Sequence, residues 1–285
     1  MGEAAVVSPS LATSAPLVEL GTLPRLGEYV RSLWARRDFV WVMAQGDLKS
    51  RNMDTALGGV WHLLNPVLMV AVYWFIFGKI LNTTRGIDPD LFLPYLVIGV
   101  TLFHFTTKCL LSGARSIVAN TGLITSIYFP RAVLPLAVVL AETLAQVPVI
   151  VATFGLLLIE GIPVRATWLL IVPITILQVI FNLGIAFVSA RLSAHFLDIQ
   201  NLLPYVTRIW FYASGIFFQP DRIEGWPGTI LRLNPLYGLI KLARLALIDG
   251  VTNANLWLFC TVWCVPILFL GFWYFRAYEA EYGSG

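Results

Sequence analysis

Long apolar runs separated by short polar breaks organise the chain. Six of them lie near 58–80, 91–112, 132–159, 167–191, 200–218 and 255–275. Each reaches about 20 residues or more, enough to cross a hydrocarbon layer of ~30 Å at ~1.5 Å of rise per residue. The runs are continuous, whereas membrane β-barrel strands alternate polar and apolar positions. Several contain Pro or a polar residue, which membrane helices tolerate where neighbours re-satisfy the freed backbone groups.

Two other stretches have their own pattern. Between 23 and 57, Tyr29, Leu33, Val40 and Met43 alternate with Arg31, Arg36, Arg37 and Asp47. Trp34 and Trp41 sit seven residues apart on one face. This predicts an amphipathic helix lying in the membrane interface; a helix packed on a partner is the competing reading. Between the fifth and sixth runs, Gly225-Trp226-Pro227-Gly228 precedes an apolar segment over 235–248. About 14 residues is short for a crossing, although a seventh span would be the alternative. Tyr237, Ile240, Ala243 and Leu247 share one face, with Lys241 and Arg244 expected off it. The predicted fold class is an all-α integral membrane protein with six transmembrane helices, an N-terminal amphipathic interfacial helix and an outer-side re-entrant or interfacial hairpin. Its parts are a mobile cytoplasmic tail (1–22), the interfacial helix and its connection (23–57), the six-span unit (58–275) and a cytoplasmic tail (276–285). The first 22 residues lack a basic start followed by an apolar core, so they do not read as a signal peptide.

Composition narrows the function classes. Hydrophobic residues make up 58% and charged residues 12%, about half the ~25% charge of ordinary soluble domains. So little charge cannot cover a soluble surface of this size. The three Cys lie inside apolar runs and suggest no disulfide framework, and three His make no His-rich metal site. A net charge of +3 is too small to argue for nucleic acid. Eleven Lys and Arg fall on the side of the two termini and seven on the other, which predicts cytoplasmic termini. No Gly-x-x-x-x-Gly-Lys-Ser/Thr loop occurs, since Gly78-Lys79 is followed by Ile80. There is also no His-Glu-x-x-His and no Gly-x-Ser-x-Gly.

Two stretches carry a family resemblance. The first is Asp47-Leu48-Lys49-Ser50-Arg51 followed by Leu57-Gly58-Gly59-Val60-Trp61-His62-Leu63-Leu64-Asn65-Pro66. The second runs from Asn120-Thr121-Gly122-Leu123-Ile124-Thr125-Ser126 through Ile127-Tyr128-Phe129-Pro130-Arg131 to Leu134-Pro135. In order and spacing, from about 30 to 275, the chain resembles the membrane subunits of type-2 ABC exporters for lipid-linked polysaccharides, the O-antigen and teichoic-acid export permeases. Within them it most resembles permeases for the lipid-linked galactan of mycobacterial-type cell walls. Asn52-Met53-Asp54-Thr55 departs from the more basic turn of many relatives, so a phosphate-binding role is not carried over to it. The resemblance implies a plasma-membrane homodimer with two copies of a separate ATPase subunit, and a channel for a long glycan between the two permeases. It also implies that ATP and Mg are bound by the partner, with no cofactor on this chain.

Candidate residues follow from position. On the fifth run Asn201, Tyr205, Arg208, Tyr212, Gly215 and Gln219 recur every three or four residues, as one helical face does. Arginine at membrane depth costs at least ~2.5 kcal/mol unless it meets water or a partner. This face is therefore expected to line a wet channel, with tyrosines packing on sugar rings, or to pair Arg208 with Glu142. His62, Asn65, Met69, Tyr73 and Phe77 make a second stripe on the first run, for channel contact or helix packing. Glu142 with Gln146, and Gln178 with Asn182, are expected as interhelical hydrogen-bonding pairs. In the loop over 114–131, Asn120 is expected to start a short helix. Ile124, Ile127 and Tyr128 form an apolar knob, Phe129-Pro130 ends it and Arg131 follows. Such a knob fits a groove on the ATPase subunit, or else a membrane surface. Arg36 and Arg37 are expected to touch anionic lipid or the ATPase. A membrane-embedded glycosyltransferase using Asp88 and Asp90, and an exporter of a small lipid or drug, are the competing functions.

Overall fold

The computed structural model describes residues 26–50, 60–80 and 87–279. The expected N-terminal tail and the turn Asn52–Thr55 lie outside them. Among the described residues the chain is helical, with no strand. Its helices are α1 (Leu26–Ala35), α2 (Arg37–Ser50), α3 (Val60–Tyr73), α4 (Phe92–Ser116), α5 (Thr121–Ser126), α6 (Val133–Ile159), α7 (Ile171–His195), α8 (Ile199–Ala213), α9 (Gly225–Arg232), α10 (Pro235–Arg244) and α11 (Ala254–Ala277). Four helical stretches are long and apolar enough to cross a membrane: Pro89–Arg115, Val133–Ile159, Ala166–His195 and Ala254–Ala277. They contain α4, α6, α7 and α11 and match four of the six expected runs. The first run is also helical, because α3 continues over Trp74–Ile80 in the wider π winding.

Helix α4 is the centre of the bundle, with α6 and α7 packed along it and α11 against α7. Three of the four residues of the expected polar pairs, Glu142, Gln178 and Asn182, bridge to α4, whereas the buried Gln146 Nε2 meets no acceptor among the described residues. Gln178 Nε2 donates to the Leu102 carbonyl at 2.7 Å and to Thr106 Oγ1 at 2.9 Å. Asn182 Nδ2 donates to Cys109 Sγ at 3.5 Å, and Ser112 Oγ donates to Glu142 Oε1 at 2.9 Å. Small residues allow this closeness. A methyl group on Gly271 of α11 would fall onto the Gly184 carbonyl of α7, so the two backbones touch there. A methyl on Gly113 would lie 2.8 Å from the Ala186 Cβ.

The fifth run departs from expectation. Helix α8 has 15 residues and stops at Ala213, about 22 Å at ~1.5 Å per residue. Gly215 turns the chain with φ +63, where a Cβ would meet Pro220 and Tyr237 at 2.8 Å. Ending a helix inside the bundle frees carbonyls that must find donors. The Tyr95 hydroxyl donates to Phe218 O at 3.1 Å and to Gly215 O at 3.4 Å, and Arg244 reaches Gly215 O at 2.8 Å and Ile216 O at 3.3 Å.

The segment after it also differs in detail. Pro235 at the first turn of α10, with Asn234 Oδ1 accepting the Leu236 N–H at 3.1 Å, starts the helix cleanly. Helix α10 continues over Leu245–Asp249 and is buried against α4, α7 and α11. Tyr237, Ile240, Ala243 and Leu247 are buried as expected, but Arg244, expected off that face, is buried too. The open carbonyls at the end of α8 are the reason.

At the opposite end, the expected single amphipathic helix is two, α1 and α2, with a turn at Arg36. Tyr29, Leu33, Val40 and Met43 pack on the protein itself, beside Phe129, Val133 and Phe275. Trp34 and Trp41 stay exposed. The apolar residues of this segment are thus divided between the bundle and the outside.

Candidate channel face and coupling loop

The outer side of helix α8 is mixed, with Leu202, Val206 and Ile209 exposed alongside a polar and aromatic stripe. Tyr205, Arg208 and Tyr212 are exposed on it. The opposite side holds the helix to the bundle. The Phe211 ring lies 5.0 Å from Phe103 and 5.3 Å from Phe217, and Trp210 Nε1 donates to Asn234 Oδ1 at 3.2 Å. Tyr73 of α3 joins this cluster, its ring 5.5 Å from Phe211 and 4.9 Å from Phe217, within electrostatic reach of Arg208 and Tyr212. The structure therefore brings Tyr73, Arg208 and Tyr212 together. Gly215 and Gln219 leave the stripe, because the helix has ended and Gln219 is in extended backbone. The side chain of His62 lies outside the described residues. Arg208 does not pair with Glu142, which is buried on α6 and takes the Ser112 hydrogen bond.

Sequence reasoning missed a second polar stripe. His104, Lys108, Ser112 and Arg115 recur along α4 at spacings of four, four and three. They fall on the less buried side of the helix: Arg115 is exposed, Lys108 and Ser112 are half-buried, and His104 is half-buried with its Nε2 enclosed. His104 sits 6.5 Å from the Phe211 ring, so this stripe borders α8. The spacing was the available signal; an apolar background and the assignment of Lys108 to a loop hid it. On this stripe Ser112 is committed to the Glu142 carboxylate, and Arg115 is the exposed cation.

The loop between α4 and α6 is built differently from its expectation. Asn120 precedes α5, but its Nδ2 donates to the Ser116 carbonyl at 2.8 Å, stitching the end of α4 without capping α5. Ile124 and Phe129 face inward, and Phe129 packs edge-on against Phe39 at 5.6 Å. Ile127 is 48% exposed and Tyr128 82% exposed. The knob is thus Ile127 and Tyr128 alone, projecting from an anchored base. Arg36 Nη2 donates to the Tyr128 carbonyl at 3.2 Å, so this arginine holds the loop, while Arg37 is exposed beside Trp34. The Arg131 N–H donates to Glu279 Oε1 at 2.7 Å, and its guanidinium donates to the Glu279 carbonyl. Burial, reinforced by the Glu279 carboxylate, holds the Tyr29 phenol far above its ordinary range, so it stays a donor. Burial also raises the Glu279 carboxyl, against hydrogen bonds from Tyr29 and Arg131 that act to lower it.

Two further places were tested for chemistry. Asp88 Oδ1 accepts the Asp90 N–H at 3.1 Å and so caps the short turn Pro89–Leu91. Among the described residues no group of three acids, His or Cys could hold a metal. An apolar cavity of about 320 Å³ opens between α3, α4 and α6, beside Val70, Trp74, Val97 and Leu156. Its Thr101 and Thr153 hydroxyls are closed on their own helices, onto Val97 and Val149 carbonyls, and Glu160 is the charged side chain in its lining.

Comparison with known proteins bears on these features together. Residues 39–248 match the family model described as ABC-2 type transporter. The chain is 29% identical over 220 residues to the O-antigen export system permease protein RfbA of Klebsiella pneumoniae, covering 76% of this chain and 82% of that one. It is 27% identical to the protein of the same name from Myxococcus xanthus, over 74% and 80% of the two chains. It is 25% identical to the polysialic acid transport protein KpsM of Escherichia coli, over 82% and 90%. The chain belongs to the ABC-2 type transporter family and is a multi-pass membrane permease.

Proposed function

We propose that two copies of this permease form a homodimer that exports a polyprenyl-diphosphate-linked polysaccharide across the plasma membrane. Two copies of a separate ATPase subunit, which bind the ATP and Mg, drive it. The glycan is a cell-wall galactan or an O-antigen-like chain, and both termini are cytoplasmic. Six crossings then include α3 with its π-wound end and the short α8. The exposed Tyr205–Arg208–Tyr212 face of α8 is the observation that carries this reading. It leaves polar and aromatic side chains on the outside of an apolar bundle, where lipid would penalise Arg208 by ~2.5 kcal/mol or more. A facing copy of the same surface, with water and glycan between, resolves that. The relatives supply the substrate class, since their names specify O-antigen and polysialic acid.

On this reading Ile127 and Tyr128 enter an apolar groove on the ATPase. Replacing both with Asp places charge in that groove. We expect membrane abundance within twofold of the parent and surface polysaccharide reduced at least tenfold in cells that depend on this chain. Unchanged export would remove the loop from the mechanism. The sequence has no phosphate-binding loop of its own, so the purified chain should hydrolyse no ATP.

A further inference from the structure

Helix α6 begins without a local cap. Its N-cap residue is Ala132, whose side chain cannot accept a hydrogen bond, and Pro130 just before it has no N–H. The first N–H groups of a helix need acceptors. The N–H groups of Val133 and Leu134 find theirs locally, in the Pro130 and Arg131 carbonyls at 3.1 Å, but the two N–H groups that lead into the helix, those of Arg131 and Ala132, are accepted by residues far away in sequence. Glu279 Oε1 accepts the Arg131 N–H at 2.7 Å, and the Tyr29 hydroxyl accepts the Ala132 N–H at 3.4 Å. The Tyr29 hydroxyl also lies within electrostatic reach of the Glu279 carboxylate. The Arg131 guanidinium returns to the Glu279 carbonyl. Around this knot the Tyr29 ring packs on Phe272 at 5.8 Å, with the Arg276 guanidinium 5.3 Å from its centre. Three elements therefore meet at one carboxylate: α1, the start of α6 and the end of α11.

We propose that Glu279 is a positioning residue for export, tying the Ile127–Tyr128 knob to α11 so that loop, α6 and α11 move as one body. This rests on the coupling role given above to the loop. Tyr128 lies three residues from Arg131, and the intervening Phe129 is anchored on Phe39 while Pro130 fixes the backbone. A displacement of the knob has little slack before it reaches the knot. Without Glu279 the knob can still dock, but its movement dissipates in the 127–132 segment.

The test uses the full chain in cells that depend on it for export, reading membrane abundance, surface polysaccharide and lipid-linked polysaccharide retained inside. Glu279→Ala is expected to keep abundance within twofold, lower surface polysaccharide at least tenfold and raise the retained pool. Glu279→Gln keeps an acceptor oxygen for the Arg131 N–H and should stay within threefold of the parent. Tyr29→Phe removes the hydroxyl and should fall between them. In purified protein, amide exchange over 127–133 should quicken at least tenfold in Glu279→Ala and little in Glu279→Gln. Parental export in Glu279→Ala overturns the proposal. So does export that merely tracks a fall in abundance across all three variants, since a purely structural role gives that pattern. The Ile127→Asp, Tyr128→Asp double variant separates the two readings. If it blocks export and Glu279→Ala does not, only the tie to α11 is wrong. If neither blocks export, the coupling role of the loop falls first.

Discussion

Arg208 and Arg244 stand in two short helices of similar make-up, and their surroundings are opposite. On α8, Arg208 is exposed between Tyr205 and Tyr212. On α10, Arg244 is buried, its guanidinium 3.3 Å from the centre of the Tyr95 ring. Arg244 donates to the carbonyls of Tyr95 at 3.0 and 3.2 Å, Gly215 at 2.8 Å and Ile216 at 3.3 Å. A buried cation is tolerable when every donor has an acceptor, and a helix that stops inside a bundle leaves acceptors open. What distinguishes the two arginines is thus not their own helices. It is the break after Ala213, which faces one of them and not the other.

The largest effect should come from Arg244. Arg244→Ala takes a donor from three buried carbonyls, of which Gly215 O keeps only the 3.4 Å contact from the Tyr95 hydroxyl, and a buried carbonyl left unsatisfied costs ~1–3 kcal/mol. Membrane abundance should fall at least tenfold by immunoblot. Arg244→Lys keeps the charge but not the planar fork, and should give an intermediate loss. Abundance unaffected by the alanine change would erase the contrast between the two sites.

Arg208→Ala should leave abundance within twofold, because no acceptor is stranded. Export should slow severalfold, with lipid-linked polysaccharide accumulating inside. Low abundance restored by adding Glu142→Gln would make Arg208 a structural residue after all. A cysteine at 205 or 212 that never reacts with a water-soluble thiol reagent, with or without ATP, would count against a wet face.

The smallest effect concerns the Asp221 clasp beside α10. Lys241 Nζ donates to Asp221 Oδ2 at 2.6 Å and the Tyr237 hydroxyl to the same oxygen at 2.8 Å. Burial would raise the Asp221 carboxyl, but these hydrogen bonds and nearby cations outweigh it and hold it below its usual range. A depressed carboxyl stabilises the fold above its unfolded value near 4 and loses that contribution as pH falls through the depressed value. Both partners are partly exposed, so the pair is worth less than ~1 kcal/mol. Asp221→Asn should lower Tm by no more than ~2 °C at pH 7, with the difference shrinking as pH falls below ~4. An offset that does not shrink on acidification would show another cause.

Four of the spanning helices were legible because a long apolar run has few other solutions in water. The end of α8 was not. Gly215 looks like one more small residue on a stripe, and only its packing against Pro220 and Tyr237 shows that it must turn. The same limit hid Arg244, since its acceptors are 28 to 149 residues away. On the loop, Ile127 and Tyr128 are exposed and Ile124 is buried, a division that helical spacing could not give because α5 ends at Ser126. The α4 stripe was readable in principle. Its spacing is regular, and only the habit of treating a mostly apolar run as uniform concealed it.

The touching backbones of Gly184 and Gly271 have a mechanical meaning. Helices slide past one another by letting side chains swap rotamers, and where these two glycines meet there is none to swap, although Phe187 packs on Phe272 and Phe275 farther along the same seam. The glycine contact therefore pins α7 to α11 at one point, as a pivot does. Among the described residues, helices α8 and α3 have no such pivot between them: Tyr73 of α3 meets Phe211 of α8 ring to ring at 5.5 Å, a contact that can roll.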